Sequence, residues 1–156
     1  MSDDLRELYQ EVILDHGRNP RNCRHPDATT HVAHGHNPLC GDQLDVYLTV
    51  GEDDRITEAA FEGRGCAISV ASASLMTETL RGKTLTEAKA LFQKIHEMCT
   101  SDDGGGIDFT DDDFERLAAL SGVRQFPMRV KCATLAWHTM KAAMEGESEV
   151  STEDDS

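Results

Sequence analysis

The stretch CGDQLDVYLTVGEDDRITEAAFEGRGCAISVASASLMTETL, residues 40–80, decides the fold. In its first part Leu44, Val46 and Leu48 alternate with polar neighbours, the period of a strand with one buried face. The residues GEDD at 51–54 supply a turn, and a second strand follows over 56–62. Together 43–50 and 56–62 predict an antiparallel hairpin with one wet side. After the glycines of GRG the pattern changes. Small and aliphatic residues from Ala67 onward predict a helix with a closely packed face.

Working outward, Leu5, Leu8, Tyr9, Val12 and Ile13 recur at helical spacing, so 4–16 reads as an amphipathic helix ended by Gly17, Asn19 and Pro20. A polar, turn-rich loop runs to about Pro26, and 29–35 reads as a third strand. On the other side, Thr84 followed by Glu87 is a capping-box signature that opens a helix through about Met98. A short helix is expected over 112–120 and a last one over 130–144, after Pro127. Helix, meander, then helices is the order of an α+β domain, with a small antiparallel three-stranded sheet packed against several helices. One domain spans residues 1–146. It is interrupted by an acidic, glycine-rich insertion over about 101–122, and an acidic tail, 147–156, is expected to be disordered.

Asp and Glu number 29 against 15 Lys and Arg, a formal charge of −14. That balance excludes nucleic acid as a partner, because a phosphate backbone needs a basic face. It equally disfavours an anionic membrane surface. No apolar run approaches the roughly 20 residues needed to span a bilayer. The opening MSDDLRELYQ is acidic and amphipathic, unlike a secretory signal, so a cytoplasmic protein is expected. Five scattered cysteines fit free or metal-bound thiols in a reducing compartment better than a disulfide framework.

Three of the five lie at element boundaries. Cys40 sits in NPLCGD before the hairpin, Cys66 in EGRGCAIS at the start of a helix, and Cys132 in RVKCATLAW near the start of the last helix. A cysteine at a helix N-terminus faces unpaired N–H groups and the positive end of the dipole, which favours the thiolate. Three thiolates and one carboxylate make a tetrahedral set suited to zinc. Asp42 is the natural carboxylate, two residues from Cys40 on an extended segment, with Gly41 between them to let the backbone turn. Buried cysteines more often simply fill space, so spacing alone leaves both readings open.

The phrases NPLCGD, GRGCAISVASAS and RVKCATLAW, with LYQEVILDHGRNPRN at 8–22, resemble the U-type iron–sulfur cluster assembly proteins of the IscU/NifU-like family. The resemblance runs from about Leu8 to Met144 and is nearest to the SufU branch. Lys131 stands where the IscU branch has a histidine before its third cysteine, and DDGGGIDFTDDD fits the insertion of the SufU branch. The resemblance implies an IscU/SufU-like fold and a tightly bound zinc on Cys40, Asp42, Cys66 and Cys132. It also implies an acceptor of persulfide sulfur from a SufS-type cysteine desulfurase, relaying it to a SufBCD-type scaffold. Chemistry agrees: zinc keeps a thiolate deprotonated yet subdued, and a thiolate released from it by a partner's side chain becomes free to attack a persulfide. Cys40, on a loop, is the candidate for that released nucleophile. The alternative is a scaffold on which an iron–sulfur cluster forms on the three cysteines. Lys131 weakens it, because lysine is a poor ligand. Hydrolase and deaminase chemistry is disfavoured, since neither HExxH nor HxE…PCxxC occurs.

The remaining candidates have blander readings. His31, His34 and His36 form an HxxHxH run in which His34 and His36 would share a strand face, as a docking or solvated surface sooner than as ligands. His138 on the last helix is weighed the same way. Arg64 and Lys131 flank cysteines, with Arg129 a weaker candidate, as cations near thiolates or as plain surface charge. Cys23 and Cys99 read as non-functional thiols, Ser69, Ser72 and Ser74 as packing residues, and Trp137 as core.

Overall fold

The computed structural model describes residues 3–38, 41–100, 117, 120 and 127–151. Helix α1 (Asp3–Arg18) leads through a loop to β1 (His31–Asn37), β2 (Asp42–Val50) and β3 (Ile56–Arg64). Then come α2 (Ala67–Leu80), α3 (Leu85–Thr100), α4 (Pro127–Met144) and a short β4 (Glu149–Ser151). The three-stranded antiparallel meander is therefore present, with four helices among the described residues.

Alternation does what it predicts. Leu44, Val46 and Leu48 are fully buried, as are Ala59 and Phe61 across from them on β3. On this inner face lie α2 and α4, while α1 packs on α2 and α3 on α4. Two polar pins hold the small-residue face of α2. The Ser72 hydroxyl donates to the Ala133 carbonyl and accepts the Trp137 indole N–H at 3.1 Å. Gly35 thins β1 where α4 crosses it: a Cβ there would stand 1.9 Å from Thr139 Oγ1.

The capping box is real. Thr84 Oγ1 accepts the Glu87 N–H at 3.1 Å, and Glu87 Oε1 accepts the Thr84 N–H at 3.0 Å. Several boundaries differ from expectation, among them β1, which lies two residues later than 29–35. Helix α1 continues through Gly17, which lies against Ala67 with room for no more than close contact. Helix α4 starts three residues early, because Pro127 does not break it but opens it, the position where a missing N–H costs nothing. The expected tail supplies β4 at Glu149–Ser151, which pairs parallel to β1 and gives the sheet order β3-β2-β1-β4. Backbone pairing along an edge strand needs no apolar side chains, so an acidic segment can provide it. The expected insertion and short helix lie outside the described residues, apart from Leu117 and Leu120, both fully buried. So do 152–156.

Candidate metal centre

One end of the sheet gathers the chemistry. Strand β1 ends at Asn37, fully buried, whose carbonyl accepts the Gly41 N–H at 2.8 Å. Gly41 has φ +76°, a left-handed conformation that suits glycine, and β2 starts one residue later with Asp42, 1% exposed. At the neighbouring strand end two glycines let the chain come close. A Cβ on Gly63 would stand 2.1 Å from the Gln43 carbonyl oxygen, and one on Gly65 would stand 2.6 Å from Asp42 Oδ1. The GRG phrase thus reflects contact of β3 with the start of β2, not loop flexibility.

Cys66 is the N-cap of α2, as its sequence context predicts. Its backbone N–H donates to Asp42 Oδ1 at 2.9 Å, so the carboxylate serves a helix-end donor while standing beside the thiols. Asp42, Cys66 and Cys132 form a group whose ligating atoms all lie within 4.8 Å of one another. Asp42 Oδ2 is buried and has no hydrogen-bond partner. A buried carboxylate oxygen left bare next to two thiols is the kind of group a cation would satisfy. Thiolate and carboxylate are also the donor types zinc accepts, so these residues fit that ion.

The two thiols are not equivalent. Cys66 is pulled down to about 6, first by a hydrogen bond from the Cys132 thiol, against the cost of burial, with help from the Ser69 and Ile68 backbone N–H groups. Cys132 is pushed upward by the same bond, by burial and by the Asp42 carboxylate beside it. The picture is a Cys66 thiolate accepting an S–H from Cys132. Priming of Cys132 by a helix end, expected from the sequence, does not hold. With α4 opening at Pro127, Cys132 lies in its second turn, where the terminal field has faded. Asn37 contributes instead, its Nδ2 donating to Cys132 Sγ at 3.8 Å. The charge of both sulfurs, Cys66 first and then Cys132, holds the nearby Arg129 guanidinium above the ordinary arginine range.

Cys40 lies outside the described residues. The histidines of β1 are not in the ligand group. Ala33, Gly35 and Asn37 point inward, so His34 and His36 share the opposite face, their rings 6.4 Å apart, with His34 Nδ1 2.7 Å from Asp45 Oδ1. His31 pairs with Thr30 Oγ1 at 2.8 Å, and His138 packs against Phe92 and His96 between α3 and α4. Arg64 is exposed at the end of β3, and Lys131 is half-buried. Cys23 is exposed. Cys99 is buried and its thiol is pushed up to about 12 by that burial. Arg129, the weaker candidate on sequence, stands three residues before Cys132 in a helix that begins at 127, so the two share one helix face.

The fold and site define an α+β domain that brings a buried carboxylate and two thiols together as a group able to hold a metal ion. The chain matches the NifU-like N terminal domain family over residues 8–148, and it belongs to that IscU/SufU family of iron–sulfur cluster assembly proteins. It is 37% identical over 139 residues to the zinc-dependent sulfurtransferase SufU of Bacillus subtilis, covering 88% of this chain and 90% of that one. It is 36% identical over 140 residues to the iron–sulfur cluster assembly scaffold protein IscU of Thermotoga maritima, covering 90% and 94%. Among solved structures, one described for iron–sulfur cluster assembly in the SUF system of Fervidobacterium islandicum superposes with a TM-score of 0.78. Its identity is 31%, over 92% of this chain and 99% of that one.

Proposed function

We propose that the chain is a zinc-dependent sulfur-transfer protein of cytoplasmic iron–sulfur cluster biogenesis. In this reading it accepts persulfide sulfur from a SufS-type cysteine desulfurase and relays it to a SufBCD-type scaffold. The observation that carries it is the unpartnered Asp42 Oδ2 beside Cys66 and Cys132, one hard donor among soft ones. Zinc bound there would keep thiolates deprotonated and add no redox chemistry of its own.

The chain's own residues then divide the work. Asp42, Cys66 and Cys132, each fixed by secondary structure, hold the ion, with Cys40 as the fourth ligand and the nucleophile. The Cys40 thiolate attacks the outer sulfur of the partner's persulfide. The partner's S–S bond breaks, its cysteine leaves as a thiolate, and the new S–S bond stands on Cys40, so no oxidant or reductant is consumed. Arg129, near enough for the thiols to raise its guanidinium, supplies a positive charge where an anionic sulfur arrives. Free cysteines at all four described positions fit a reducing cytoplasm. Among the described residues no helix is long and apolar enough to cross a membrane.

The test is the metal and acid-labile sulfide content of protein purified anaerobically without a metal-binding tag, together with desulfurase turnover. About one zinc per chain without sulfide, and stimulation of the desulfurase lost in Cys40→Ala, are the expected results. Matched iron and sulfide with little zinc would instead assign the chain to the cluster-scaffold reading. A folded Cys40→Ala protein that stimulates normally would remove the persulfide-acceptor role.

A further inference from the structure

Three serines line the packed face of α2, and two of them are fully occupied. Ser72 binds Ala133 and Trp137. Ser74 Oγ accepts the Arg21 N–H at 2.8 Å and faces His16 Nδ1 at 2.7 Å. Ser69 differs: it is fully buried and its Oγ has no hydrogen-bond partner. Among the described residues the buried side-chain oxygens and nitrogens left in this condition are Ser69 Oγ and Asp42 Oδ2. Both sit at the same place.

Their juxtaposition has a local cause. Ser69 is the third residue of α2 after its N-cap, Cys66, and in a capping box that residue's side chain reaches back to the N-cap N–H. Here Asp42 Oδ1 already accepts that N–H. Ser69 Cβ and Asp42 Oδ1 converge on the space of the side chain Gly65 lacks, 3.1 and 2.6 Å from where its Cβ would be. A hydroxyl with a proton to give thus stands next to a carboxylate that can only accept. Carboxylates that ligate metals are themselves hydrogen-bonded, which orients them.

We infer that Ser69 is a positioning residue for Asp42. Its hydroxyl donates to the carboxylate when Oδ2 engages a metal ion, so that Oδ1 holds the Cys66 N–H and the Ser69 O–H together. This rests on the metal-binding reading above. It gives an unusual pair of signs. In the metal-free chain the Ser69 hydroxyl is an unpaired buried group, so its removal leaves that fold at least as stable. In the loaded chain the same removal weakens the hold on the ion.

The experiment is competition for zinc by a chromophoric chelator, on the full chain as wild type, Ser69→Ala, Asp42→Asn and the double variant, with thermal melts of each metal-free protein. Ser69→Ala is expected to bind zinc about tenfold more weakly, with a metal-free melting temperature equal to or above wild type. In the Asp42→Asn background the same change is expected to have no further effect on affinity. Unchanged zinc affinity in Ser69→Ala overturns the inference while leaving the metal site intact, as does an equal loss in both backgrounds. A Ser69→Ala chain that melts earlier or fails to fold overturns it too, since that marks a packing role. Wild-type protein that binds no zinc removes the metal reading and this inference with it.

Discussion

Cys66 and Arg129 are coupled in both directions. The two thiols raise the Arg129 guanidinium, so by linkage its charge favours their thiolate form. Arg129→Ala is therefore expected to raise the apparent pKa of the thiol pair by a few tenths of a unit, the size usual for an exposed charge. Ultraviolet thiolate absorbance of metal-free protein, followed against pH, measures this; an unmoved titration would show the arginine to be ordinary surface charge. At this scale the sequence is uneven. Cys66 as an N-cap is legible because Gly-Arg-Gly before a small-residue run can only lead tightly into a helix, and Asp42 is legible from its spacing to Cys40. Arg129 is obscured by a boundary: starting the last helix at 130 instead of at Pro127 leaves Arg129 outside it and hides that it shares a face with Cys132. Asn37 and Ser69 carry no local signature, since what gives them meaning is a neighbour distant in sequence.

Elements constrain one another most tightly where α4 crosses β1. Gly35→Ala places a methyl carbon 1.9 Å from Thr139 Oγ1 and 3.2 Å from Leu135 Cδ1, and is expected to cost about 1–3 kcal/mol in urea denaturation. Thr139→Ala removes the worst contact, so the double variant should recover part of that loss. Equal stability of Gly35→Ala and wild type would mean the helix has room to lift. The glycine's role was invisible in HVAHGHN, where the histidines draw attention. By contrast the hairpin and the Thr84–Glu87 box were readable, because each rests on neighbours along the chain. Strand β4 was not, since pairing through the main chain leaves no hydrophobic period in the sequence.

For the whole molecule, the thiols impose a shape on stability against pH. Cys66 is depressed from an ordinary 9.0 to about 6, so its contribution is complete above the ordinary thiol range and fades as pH falls towards 6. Cys132 and Cys99 are raised, so theirs are complete below that range and are lost as pH climbs past it. Metal-free protein under reducing conditions should thus grow more resistant to urea from pH 6 to about 9 and less so beyond. Cys66→Ser should remove the rising limb; a rise that survives in it would trace the effect to other groups.

The two flanks of the sheet bear on how this acidic chain meets others. Along β1 the backbone is taken up by β4, with the His34 N–H donating to the Ser148 carbonyl at 2.8 Å. Along β3 the Phe61 N–H donates to the Asn22 carbonyl at 3.0 Å and the Ile56 N–H to the Lys83 carbonyl at 2.8 Å. The outermost strands are thus β3, partly engaged by main chain from elsewhere in the protein, and β4, three residues long and carrying Glu149. Neither offers a foreign peptide a long free edge on which to zip as an extra strand. Recognition is thereby left to side chains, and even crowded solutions offer little template for edge-to-edge fibre growth.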